Sequence, residues 1–259
     1  MTTRAARRRL TRALLVVITM LVSGPLLVGA RGDINFDADW RTADRSSAGI
    51  APPAASTPEA VVQVYAARAF HWRGLFGVHT WVATKAAGAG SYTVHEVLGW
   101  KQARAGTVVE SRADLPDRSW YDADPWLVRD IRGPAAAALI PQIEAAVASY
   151  PHAQRYRIWP GPNSNTFVAW IAREVPALGV SLPPTAIGKD YLGEGRWFGP
   201  APSGTGYQLS CGGWFGALVA RREGIEFNVL GLVLGVDLLR PALKLPGLGR
   251  VGLAEDIAG

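Results

Sequence analysis

Ser164 and His79 are the two side chains whose type and setting suit nucleophilic chemistry. The run Trp159-Pro160-Gly161-Pro162-Asn163-Ser164-Asn165-Thr166-Phe167 is a Pro/Gly-stiffened loop that delivers a hydroxyl to the start of an amphipathic helix. There the helix dipole and unpaired backbone N–H groups favour developing negative charge. A serine hydroxyl is a weak nucleophile and needs a positioned base, for which His79 on a strand-like segment is the candidate. A third group must orient the imidazole. Any hairpin register that sets odd residues opposite odd ones brings His95 to the face of His79. A two-residue turn at Gly88-Ala89 brings Glu96 round instead. The turn reads as longer than two residues, so His95 is preferred and Glu96 is the alternative. Asn163, Asn165, Trp81 and Trp159 are the expected substrate contacts beside this trio. A plainer reading stands next to it: Asn163-Ser164-Asn165 only starts a helix, and His79 is a hydrogen-bonded core residue. Spacing by itself favours the plainer reading.

Other chemistries find less support. His71, His79, His95 and His152 show none of the close paired spacings of zinc motifs, and Cys211 is the sole cysteine, so no metal site is expected. Phosphate-cradling glycine loops are absent, and no cofactor is expected. Cys211 excludes an intramolecular disulfide and reads as a small, half-buried residue of a glycine-rich strand.

The elements that must position Ser164 and His79 are legible as pattern. Residues 61–68, rich in β-branched side chains, read as a strand. Residues 75–84 and 91–100 read as a hairpin about the Ala86–Gly90 turn, with Phe76, Val78, Thr80 and Val82 on one face and Gly77, His79, Trp81 and Ala83 on the other. Residues 101–133 form a less regular insert. An alanine-rich helix is expected over 134–150, bent or restarted at Pro141. A second helix runs from about 163–165 to Val175, with Phe167, Ile171 and Val175 on one face and Pro176 as its stop. Strands over 208–222 and 225–236, joined at Glu223-Gly224, form a long hairpin. Residues 31–57 read as a tether, and 58–259 as a single α+β domain.

The 259 residues carry a net charge of +6, but Arg4, Arg7, Arg8, Arg9 and Arg12 lie in the first thirty positions with no acid. Without them 22 basic residues face 21 acidic ones, so a nucleic-acid partner is not supported. Those arginines precede eighteen uncharged residues, Ala13–Ala30. The segment is a signal peptide cleaved after Ala30, or an anchor with its arginines cytoplasmic. Either way the remainder is exported. The membrane is a partner through residues 13–30 if the segment is uncleaved.

The order strand, strand with His79, strand with His95, then helix headed by Asn163-Ser164-Asn165-Thr166-Phe167 resembles circularly permuted papain-like proteins: the lecithin–retinol acyltransferase family, the PPPDE peptidases and NlpC/P60 relatives. Ser164 stands where those families carry cysteine. His79-Thr80-Trp81-Val82-Ala83 is similar to their base motif, and Tyr92-Thr93-Val94-His95 to the strand with their second histidine. The resemblance implies an antiparallel sheet with the nucleophile-bearing helix packed on it. More closely, the whole exported part resembles an uncharacterised bacterial envelope family, domain of unknown function 3750. The matching stretches are residues 161–167, Pro183-Pro184-Thr185-Ala186-Ile187-Gly188-Lys189-Asp190-Tyr191 and Lys244-Leu245-Pro246-Gly247.

Two functions are therefore expected in competition. One is a serine-nucleophile hydrolase or acyltransferase acting on a cell-wall or lipid substrate, with Ser164 as nucleophile, His79 as base and His95 orienting it. The other is a non-catalytic binding or structural envelope protein on the same fold. In the structural version, Trp120, Trp126, Trp197 and Trp214 pack against a partner or lipid surface.

Overall fold

The computed structural model of the chain describes residues 2–254 and Ile257. Helix α1 (Thr2–Arg31) runs without interruption through Pro25. Residues 6–31 are long and apolar enough to cross a bilayer. Leu21 and Val28 are buried against the rest of the chain, whereas Leu10, Leu14 and Leu15 are exposed.

Strands β1 (Val61–Arg68), β2 (Val78–Lys85), β3 (Thr93–Val97), β4 (Val109–Ala113) and β5 (Trp126–Arg132) form an antiparallel sheet in the order β4-β3-β2-β1-β5. β1 matches its β-branched run. β4 and β5 arise within the stretch expected to be irregular, and a short helix α2 (Gln102–Ala105) lies between β3 and β4. Val82 is paired with His95 and Ala83 with Val94. Odd residues of β2 therefore face the same side as even residues of β3, which is the register of a Gly88-Ala89 turn although the connecting loop is longer.

Side chains alternate across a strand, and here both faces are covered. On one face Val62, Val64, Val78 and Val82 pack under helices α3 (Gly133–Ala148) and α4 (Ser164–Glu174). On the other, Tyr65, Trp81, Ala83 and Val94 pack with Trp120. Pro141 lies inside α3 without ending it. The segment read as a tether is partly held down: the Asp117 carboxylate accepts from Ile50 N, Ala51 N and Ser47 Oγ.

The C-terminal part is a meander, not one long hairpin. β6 (Phe198–Pro200), β7 (Gly206–Cys211), β8 (Phe215–Ala220), β9 (Gly224–Val229), β10 (Leu232–Asp237), β11 (Ala242–Leu245) and β12 (Gly249–Gly252) pair in sequence order. Gly212-Gly213, both at positive φ, turn the chain where an unbroken strand was expected. Its buried face carries an ion-pair network beside Leu218, Ala220 and Val233. Lys189 Nζ donates to Asp190 Oδ1 (2.9 Å) and Glu226 Oε2 (2.5 Å), and Lys244 Nζ donates to Glu226 Oε1 (2.6 Å). Burial alone would raise the Glu226 carboxyl, but the two ammonium groups bring it below its ordinary value.

Candidate functional site

α4 begins at Ser164 because Asn163 leaves the helix in an extended conformation and caps it. Its Oδ1 accepts from Asn165 N (3.0 Å) and Thr166 N (3.1 Å), and its own N–H donates to Thr166 Oγ1. Phe167 N is bonded to Asn163 O. Three of the donors that would stabilise an oxyanion are thus already occupied by the cap. The neighbouring side chains also look inward. Asn163 Nδ2 donates to Ile158 O and Ile187 O, while Asn165 Nδ2 donates to Val78 O and Ile187 O. Thr80 Oγ1 donates to Asn165 Oδ1 (2.9 Å), and Thr166 Oγ1 donates to Gly188 O (2.7 Å). Gly188 sits at φ +101° with Asn163 against it; a Cβ there would lie 2.5 Å from the amide. Ser164 itself is buried, with 4% of its surface exposed, and its hydroxyl makes no hydrogen bond to any described residue.

These bonds fix the relation between helix and strand. The hairpin does lie beside the α4 N-terminus, as expected, but it is the even residues of β2, Val78, Thr80 and Val82, that meet the helices. His79 points to the opposite face of the sheet. There it stacks on Trp120 (3.6 Å between centroids, 9° between planes) and lies against Trp81. Ser164 and His79 are therefore not brought together.

His79 has a different partner. Its Nε2 lies 3.3 Å from Glu96 Oε2, and Arg118 grips both Glu96 oxygens at 2.6 and 2.8 Å. Burial pushes the His79 imidazole below its ordinary value, against the pull of Glu96. Burial would raise Glu96, but the His79 hydrogen bond and the Arg118 guanidinium hold it below the usual carboxylate range. A neutral imidazole donating Nε2–H to an ionised carboxylate follows. This is a satisfied buried network rather than a base waiting for a proton.

His95 belongs to neither group. The register carries it to the helix-side face, where Nε2 lies 3.2 Å from Thr84 Oγ1 and Nδ1 lies 2.8 Å from Ser111 Oγ. The role expected for His95 beside His79 falls to Glu96. Burial lowers the His95 pKa to about 4. Its unfolded value is near 6.5, so the unfolded chain binds the extra proton first. The stability it supports is complete above about pH 6.5 and is lost as pH falls toward about 4. His95→Gln is expected to flatten the dependence of unfolding free energy on pH across that window by about one proton. Denaturant titrations at several pH values check this.

Of the remaining expected contacts, Trp81 has no exposed surface, lies between Tyr65 and His79, and donates from Nε1 to Pro116 O. Direct contact with a substrate is closed to it. Trp159 is half-buried and donates from Nε1 to Leu230 O (2.7 Å), fastening the Ser164 loop to the meander. A cleft of about 440 Å³ lies where the two sheets meet and is lined by Arg68, Trp126, Ser181, Thr185 and Arg250. None of Ser164, His79 or His95 lines it. Among the described residues no group of three or more His, Cys, Asp or Glu could hold a metal ion. Cys211 is exposed rather than half-buried, because it lies on the outward row of β7. Arg118 and Trp120 were not singled out from sequence as partners of His79. Their only signal is a buried-type aromatic beside a basic residue in the Asp/Pro-rich insert, and no local periodicity announces it.

Neither the curated proteins nor the solved structures contain a match to this chain. A family model described as "Protein of unknown function (DUF3750)" matches residues 59–191. That span runs from just before β1 through the Gly188 loop, taking in the first sheet, helices α2, α3 and α4 and the capped turn, and it does not reach the stretch 244–247 that the sequence resemblance includes. The chain belongs to this family of unknown function.

Proposed function

We propose that this chain is a non-catalytic envelope protein that keeps a permuted papain-like order of strands and helix as a binding scaffold. The observation that carries this reading is the placement of Ser164 and His79 on opposite faces of one sheet. A hydroxyl without a base in reach remains a weak nucleophile. Two further observations support it: the cap occupies the donors an oxyanion would need, and the 440 Å³ cleft between the sheets lies elsewhere. On the His79 face, the half-exposed Trp100 ring lies 6.2 Å from Trp120 at 25°, which continues the ring stack outward and supplies a surface for a ligand. Export and anchoring through α1 put that surface outside the cytoplasm.

Labelling tests the reading. The parent is expected to show no fluorophosphonate adduct at Ser164. In a Cys211→Ser background, Ser164→Cys is expected to react with an alkylating agent no faster than an exposed cysteine, since no imidazole lowers its pKa. A parent that labels with fluorophosphonate, and loses the label in both Ser164→Ala and His79→Ala, would restore the hydrolase or acyltransferase reading.

A further inference from the structure

The meander sheet is inside out. Across its strands one outward row reads Tyr207, Val219, Ile225, Val236, Leu243 and Val251 in direct register. A second outward row reads Phe198, Leu209, Ala217, Phe227 and Leu234. A third reads Cys211, Phe215, Val229 and Leu232. No charged side chain occurs in any of the three. Tyr207, Leu209, Val219 and Phe227 each expose more than half of their surface. The inward rows read Gln208, Leu218, Glu226, Gly235 and Lys244, and Ser210, Gly216, Asn228 and Val233, so polar side chains make up half or more of each. A sheet in water does the reverse, facing apolar side chains inward and polar ones out. Six inter-strand spacings make this apolar face about 29 Å wide, larger than the scattered exposure of an ordinary soluble surface.

The occupant is indicated by α1. Its Gly24 meets the turn between β11 and β12 so closely that a Cβ there would lie 1.9 Å from Pro246 O. The approach is mutual, since a Cβ on Gly247, at φ +71°, would meet Pro25 N at 2.7 Å and Leu75 O at 2.6 Å. Val28 is wholly buried one turn further on. The uncharged stretch is eighteen residues, about 27 Å as a helix, which only just matches the hydrocarbon thickness of a bilayer. The domain packs along the part from Leu21 to Val28, so it holds on to α1 within the span itself. With α1 in a bilayer, the turn between β11 and β12 would reach the depth of the lipid, and the apolar rows begin on those same strands.

We propose that the outward face of the meander is a lipid-seated surface, continuous with an uncleaved α1, and that the domain lies on the outer leaflet of the membrane that α1 crosses. Apolar area supplies the affinity, while Trp197 and Trp214, both exposed, flank it with interfacial rings.

Cys211, the sole cysteine, stands on this face and gives a native reporter. The full chain is reconstituted into phosphatidylcholine–phosphatidylglycerol vesicles with a bimane on Cys211. In the Cys211→Ser background, the bimane is placed on Leu243→Cys or on Ala138→Cys, an exposed site on α3. Doxyl-labelled lipid is expected to quench positions 211 and 243 several-fold more than position 138, and aqueous iodide is expected to show the opposite order. Quenching by lipid at 243 alone would overturn the proposal and leave only an anchor at one edge. Shielding of 211 from both quenchers would overturn it in favour of a protein partner, a second copy included. Free access of iodide to 211 and 243 would overturn it outright. A Phe227→Lys chain that still shows full lipid quenching at 211 would also count against it, because a lysine on the face must be drawn out of the hydrocarbon.

Discussion

Glu226→Ala is expected to destabilise the protein by about 3–5 kcal/mol, enough to unfold the meander. Glu226 is the common partner of Lys189 and Lys244, and all three side chains are at most 2% exposed. Removing the carboxylate strands two ammonium groups in a low-dielectric interior. Asp190 still holds Lys189, but among the described residues Lys244 has no other carboxylate partner. The double variant Glu226→Gln with Lys244→Met is expected to lose less than Glu226→Ala, because it removes the unpaired charge along with its partner. Denaturant midpoints in detergent micelles, followed by tryptophan fluorescence, compare the three chains. Equal stability of Glu226→Ala and the parent would mean that water reaches this network.

Glu96→Ala is expected to cost a similar amount, again about 3–5 kcal/mol, on the other sheet. It leaves the Arg118 guanidinium, 7% exposed, with Asp114 as its one carboxylate partner among the described residues, and it deprives His79 of its hydrogen bond. The folded Glu96 pKa lies below the ordinary value of about 4.5, so this stability is present above about pH 4.5 and fades as pH falls below it. Glu96→Ala should therefore differ most from the parent at neutral pH and converge with it in acid. Glu96→Gln, which keeps shape and an acceptor oxygen, is expected to fall between the two. A loss confined to catalysis of some test ester, with stability unchanged, would contradict the structural role assigned to the pair.

Much of the first sheet was legible in the sequence, for physical reasons. β1 is a β-branched run, α4 has an Asn cap, an apolar stripe at Phe167, Ile171 and Val175, and a proline stop. Both signals are local. What failed was non-local. Whether His95 or Glu96 faces His79 depends on the parity of the pairing across the 86–92 loop, and a one-residue change of register exchanges the two faces. β4 was hidden because Val109-Glu110-Ser111-Arg112 is largely polar at a sheet edge, where neither face need be apolar. The base and nucleophile were paired by order along the chain, yet α4 covers the even side chains of β2 while His79 is odd. In the meander, alternation at Tyr207-Gln208-Leu209-Ser210 is visible in the sequence. The rule that apolar side chains turn inward would nevertheless have assigned it the wrong face.

The contact of Gly24-Pro25 with Pro246-Gly247 also limits where the domain can act. A domain on a slack stalk sweeps a hemisphere and meets targets tens of ångströms away. This one is clamped to its own helix by two backbones that approach without intervening side chains. No free length of chain separates helix from sheet at that point, so neither swing nor rise is open to it. In the proposed membrane-seated state its working radius would be the height of the folded domain, and a ligand would have to come to the leaflet surface.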